Sequence, residues 1–213
     1  MEKISDFICF EKPSQEIVEK YTGKVPEQII ELWKQYGFGS MLNGYLRLIN
    51  PEEYLDILKA SYIRYEEAIP VFTTGMGDIL VWENNYLLLL KYRRGTVDVA
   101  GGKFKFFFKN MKDDYFLEKV LDWMPYKQAI HRYGSLEIDE CFGYTPLLPL
   151  GGLEKVENQH IFRNSNTQHS LGDLPITSVE IFVSDAFKER VTNSGLKGFR
   201  FKLVWESDEK NDE

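Results

Sequence analysis

A chain of 213 residues is long enough for one large domain or two small ones, and its 43% apolar and 15% aromatic residues can build a real core. The 26 basic and 33 acidic side chains leave a net charge of −7, and the whole excess lies in one half: residues 1–112 carry 15 of each sign, residues 113–213 carry 11 basic and 18 acidic. An acidic second half disfavours general nucleic-acid binding there and suits a basic protein partner.

Two isolated cysteines, Cys9 and Cys141, form neither a disulfide framework nor a zinc site. Each stands beside aromatic residues and reads as a reduced, buried small hydrophobe. The opening residues MEKISDFICF contain acids and no long apolar run, unlike a secretory signal. No uncharged apolar stretch approaches the ~18 residues of a membrane span. A reducing cytoplasm is the expected compartment.

In chain order, Pro13-Ser14 introduces a short helix over 15–21, stopped at Gly23. A clearer helix runs over 26–36: Pro26 suits the first turn, Ile29, Ile30, Trp33 and Tyr36 share a face, and Gly37 ends it. Residues 37–40, Gly-Phe-Gly-Ser, read as a loop, and 45–49 as a brief strand. Asn50-Pro51-Glu52-Glu53 is a strong helix start, with Asn50 as cap. Tyr54, Leu55, Leu58 and Tyr62 then line a buried side.

The stretch 69–108 reads as an antiparallel meander. Strands are expected over 71–74, 79–82, 86–92, 96–100 and 104–108. Turns fall at Gly75-Met76-Gly77-Asp78, Glu83-Asn84-Asn85, Arg93-Arg94-Gly95 and Gly101-Gly102. The run Tyr86-Leu87-Leu88-Leu89-Leu90 is apolar at both parities, which predicts a central strand covered on both faces. Asp113 or Asp114 can cap a helix carrying Phe116, Leu117, Val120, Leu121 and Trp123, and Pro125 opens another that Gly134 closes. Residues 141–152, CFGYTPLLPLGG, read as an ordered apolar loop. Beyond a polar stretch over 164–173 come a strand at 179–183, a helix capped by Ser184, an alternating strand at 199–205 and an acidic, disordered tail.

The expected fold class is therefore α+β: a central antiparallel β-meander with packed helices and a small C-terminal strand–helix–strand unit. Three separated blocks carry a family resemblance: VPEQIIELWKQYGFGSMLNGYLRLINPEEY, IPVFTTGMGDILVWENN and CFGYTPLLPLGGLEKVEN. With them, residues 25–158 resemble the GAD-like family of bacterial proteins, which includes immunity proteins against type VI secretion DNase toxins. His160-Ile161-Phe162-Arg163 and IFVSDAFKERVTNSGLKGFRFKLVW resemble the C-terminus of another group of bacterial immunity proteins. The chain thereby divides into a GAD-like domain at 1–152, an immunity-like segment at 153–206 docked on it, and an acidic tail at 207–213. The resemblance implies a cytoplasmic antitoxin that binds a cognate secreted or polymorphic toxin, a nuclease among the candidates, and occludes its active site. It carries over no catalytic residue.

The residues themselves agree. His131, His160 and His169 lack metal-ligand spacing, and CxxC, HExxH and GxSxG are absent. Gly37-Phe38-Gly39 follows a helix, so it is no dinucleotide loop, and the Gly75–Asp78 turn lacks the lysine of a phosphate cradle. No catalytic, cofactor-binding or metal residue is expected. A regulatory or scaffold module and, further behind, an enzyme with an unrecognised site are the rival readings. Lys91, Arg93, Arg94, Lys103, Lys105 and Lys109 interleave with Phe104 and Phe106–Phe108 in the manner of an RNA-stacking face, but three consecutive phenylalanines must be partly core, which disfavours nucleic acid. The candidate partner contacts are Asp78 as an exposed turn residue, Trp82 and Glu83 before the next turn, and the cluster Glu137, Asp139 and Glu140. That cluster would meet lysine or arginine on a toxin with a basic surface. Each has a plainer alternative: a simple turn, a buried tryptophan, a solvated segment. The sequence leaves the oligomeric state open.

Overall fold

The computed structural model describes residues 4–163; the strand–helix–strand unit and the tail expected after residue 163 lie outside them. Seven strands form one sheet: β1 (Ile8–Glu11), β2 (Phe38–Met41), β3 (Leu46–Leu48), β4 (Ile69–Thr74), β5 (Ile79–Glu83), β6 (Tyr86–Lys91) and β7 (Thr96–Gly101). Their order in the sheet is their order in the chain, and every pairing is antiparallel. The helices are α1 (Gln15–Tyr21), α2 (Glu27–Tyr36), α3 (Leu55–Ser61), α4 (Phe104–Asn110) and α5 (Met124–Tyr133). A 3-10 turn (Pro51–Tyr54) leads into α3, and a π-helical turn (Phe116–Val120) precedes α5. Two further strands, β8 (Glu140–Tyr144) and β9 (Gln159–Arg163), pair with each other across the expected boundary at 152/153. The class is α+β.

The leucine run is the hinge of the packing. Leu87 and Leu89 point into the larger core, built with Ile29 and Trp33 of α2, Phe104 and Phe107 of α4, and Tyr126 of α5. Leu88 and Leu90 point the other way, onto a smaller core with Leu58 of α3 and Tyr62. All four leucines are buried, as the double-parity pattern requires.

Helix starts follow the local chemistry. The Ser14 side chain accepts from the Ile17 N–H, and that of Asn50 from the Glu52 N–H. Asp113 accepts from the Tyr115 N–H at 2.9 Å. Gly37 and Gly134 end α2 and α5 at φ of 86° and 90°.

Four expectations change. The loop at 37–40 is strand β2: Gly39 lies opposite Cys9, and a Cβ there would sit 2.1 Å from the Ile8 carbonyl oxygen. This glycine permits close strand approach instead of breaking a strand. The strand at 104–108 is helix α4. Phe104, Phe107 and Phe108 recur at helical spacing against the core, while Phe106 is exposed. Phe104 stacks on Phe72 and Phe107 packs tilted against it, at centroid distances of 6.1 and 5.6 Å. The apolar loop at 141–152 begins with β8 and contains a 3-10 turn (Leu148–Leu150). Cys9 is exposed on edge strand β1, and Cys141 is half-buried. Edge strand β1 was itself unforeseen.

Candidate functional site

The six candidate contacts separate into interior and surface groups. Asp78, at the end of the β4–β5 turn, is fully buried. Its Oδ2 lies 2.9 Å from Arg93 Nε. Arg93 Nη2 donates to the Asp122 carbonyl at 3.2 Å, Arg94 Nε to Asp122 Oδ2 at 2.8 Å, and Arg94 Nη2 to Glu154 Oε1 at 2.6 Å. The β6–β7 turn thus clamps three distant segments through two arginines. Burial works against the charge on Asp122, but the Arg94 hydrogen bond and the charges of both arginines hold its carboxyl below the ordinary aspartate range.

Glu83 is also interior: it accepts from the Tyr62 hydroxyl at 2.7 Å and pairs with Arg64 Nε at 2.9 Å. Asp78 and Glu83 are therefore ties inside the fold and present no surface to a partner, against the sequence expectation for an exposed Asp78. A buried carboxylate needs such pairing, and a strand-end acid gives no sequence sign of which side it faces. Trp82 is partly buried, packed against the larger core.

Glu137 and Asp139 are exposed and Glu140 is half-buried, so this cluster does reach the surface. Arg47, in the centre of β3 and only 5% exposed, fixes it from beneath. Its Nε donates to the Gly44 carbonyl at 3.3 Å, and its Nη1 to the carbonyls of Ile138, at 2.9 Å, and Glu140. Glu140 Oε2 in turn accepts from the Glu137 N–H at 3.0 Å. Burial pulls the Arg47 pKa below its ordinary value, and its carbonyl partners take the place of lost water. The acidic segment is thus a lip tied to β3 through Arg47.

Below the lip lies a groove of about 270 Å³ on the smaller-core face of the sheet. A cross-strand row forms its floor: Arg47 of β3 opposite Thr73 of β4, and Thr73 opposite Ile79 of β5. Tyr54, Ile57 and Tyr92 make its apolar walls, and Asp139 and Glu140 its rim. Cys141 also borders it; burial pushes its thiol up to about 11, so it stays protonated at neutral pH. Sequence reasoning missed Arg47, although a charge flanked by Leu46 and Leu48 in a short apolar strand was the available signal. Among the described residues, no group of three or more His, Cys, Asp or Glu side chains could hold a metal ion. No helix among them is long and apolar enough to cross a membrane.

The site is thus an acidic lip over a small groove on a helix-covered antiparallel sheet. Two family models match parts of the chain: residues 1–93 match the "GAD-like domain", and residues 102–162 match "T6SS immunity protein Tdi1, C-terminal". The first match spans β1 to β6 and the second α4 to most of β9, with β7 lying between the two. Among solved structures, the crystal structure of Atu4351 from Agrobacterium tumefaciens is similar with a TM-score of 0.60, over 74% of this chain and 81% of that one. At 17% identity the likeness is one of fold. No protein of curated function matches the sequence.

Proposed function

We propose that this protein is a cytoplasmic immunity protein that binds and neutralises a cognate toxin delivered by type VI secretion. The observation that carries this reading is the pair of consecutive family matches over residues 1–93 and 102–162. Immunity-protein families bind their cognate toxins and are generally not enzymes, and this chain acts in the same way, by occupying the toxin's active-site face without chemistry of its own. The lip at Glu137 and Asp139 supplies the contact. A toxin that handles nucleic acid carries a basic surface, and an acidic lip tied to β3 through Arg47 meets it with little ordering cost.

The test is co-expression with candidate toxin genes from the neighbourhood of its own gene, followed by co-purification and a growth-rescue assay. The double variant Glu137→Lys/Asp139→Lys should keep the wild-type fold by circular dichroism yet bind the toxin at least ~10-fold more weakly, mainly through slower association, the gap narrowing as salt rises. Unchanged affinity in that variant removes the lip from the interface; no complex and no rescue with wild type removes the immunity reading.

A further inference from the structure

The groove beneath the lip has features that the lip alone does not explain. Its 270 Å³ falls below the ~300–1,000 Å³ of sites for free small molecules, and suits one large side chain. Its walls are apolar, but its floor carries the polar side chains of Arg47 and Thr73 beside Ile79. Thr73 is 6% exposed, and its buried hydroxyl has no hydrogen-bond partner among the described residues. The neighbouring Thr74 hydroxyl, by contrast, accepts from the N–H groups of Met76 and Asp78. Arg47 uses Nε and Nη1 on carbonyls and leaves Nη2 without a hydrogen bond among the described residues. A buried hydroxyl left unpaired costs free energy that a bound partner recovers.

We infer that this groove is a socket for a single toxin side chain, large and mainly apolar with a hydrogen-bonding tip, carried on a basic segment. The proposal rests on the toxin-binding reading and deepens it. The apolar body lies between Tyr54, Ile57 and Tyr92, and the tip reaches Thr73 Oγ1 and Arg47 Nη2. Basic residues on either side of the anchor meet Glu137 and Asp139. A desolvated anchor ringed by polar contacts is the arrangement that concentrates binding energy in a few residues, with the charges setting approach and register.

Two variants test the socket against the purified toxin by calorimetry or interferometry. Thr73→Val keeps side-chain shape and removes only the unpaired hydroxyl, so its Tm should hold or rise while toxin affinity falls about 3–10-fold. Ile57→Trp narrows the groove from α3 and should weaken binding at least ~10-fold. Ile63→Trp, at a residue 94% exposed, serves as control and should bind like wild type. If Ile57→Trp does not fold, Thr73→Val decides alone. Wild-type affinity in folded Thr73→Val and Ile57→Trp, with weakened binding in Glu137→Lys/Asp139→Lys, overturns the socket and leaves the immunity reading intact. Wild-type protein that does not bind the toxin overturns both.

Discussion

Single residues explain where this sequence allows no choice. Gly75 has no positive φ to justify it, yet a Cβ there would lie 2.3 Å from the ring of Tyr126. That ring is 1% exposed, its hydroxyl donates to the Asn43 carbonyl at 2.8 Å, and it sits 5.2 Å from the Tyr45 ring and 5.9 Å from that of Phe142. It cannot retreat. Gly75→Ala should therefore cost about 1–3 kcal/mol in chemical denaturation, an overpacking penalty. Gly101→Ala, where an added Cβ meets nothing within 4 Å, should stay within ~0.5 kcal/mol. Equal losses for the two would show that Tyr126 is not fixed. Residue identity alone does not reveal such contacts: a glycine in a turn reads as a turn glycine, and the ring that demands it lies 51 positions further along the chain.

Elements were legible where their determinants are local. Ser14, Asn50 and Asp113 announced helix starts because a cap bonds within three residues of itself. The leucine run announced β6 because its two-sided burial is written in both parities. Leu88→Asp and Leu89→Asp place an unpaired carboxylate into the smaller and the larger core respectively, and both should give insoluble protein, since the penalty of several kcal/mol rivals total stability. Soluble yield and thermal melting check this, and wild-type melting of either variant contradicts burial on that face. Elements were misread where two periods compete. Phe104-Lys105-Phe106-Phe107-Phe108 satisfies a strand by β-propensity and a helix by the 104/107/108 spacing; tertiary packing on Phe72 chose the helix. Strand β2 was hidden by two glycines that serve approach and capping.

At the scale of the molecule, the β6–β7 turn fastens the meander to the C-terminal segments, through Arg93 and Arg94 to Asp122 and Glu154. Asp122 adopts φ of 57°, a left-handed conformation that asparagine also tolerates, so Asp122→Asn removes charge without backbone strain. Its carboxyl pKa is depressed in the folded protein, so the stabilisation is present above the unfolded value near ~3.9 and is lost as pH falls through the lower folded value. The variant should lose about 1–2 kcal/mol at pH 7, a modest figure because the side chain is partly open to water. That corresponds to roughly 2–8 °C in Tm, and the gap should begin to narrow below about pH 4 and keep narrowing as pH falls further. A gap that does not narrow at all as pH falls below about 4 assigns the effect to something other than charge. The candidate site was half legible at this scale. The acidic lip is contiguous in sequence, and its charge was visible. The groove is assembled from residues between 47 and 141 that meet only after the sheet has formed, so no window of sequence contains it.

Strand order has a consequence for synthesis. Each strand of the sheet finds its neighbour one connection away, with none inserted between older ones, so most loops to be closed are short and topology imposes little delay. A ribosome emits such a ribbon in the sequence of its assembly. Once residue 101 has left the exit tunnel every rung of the ladder is available, α2 has already emerged, and α4 and α5, which complete the larger core, arrive next.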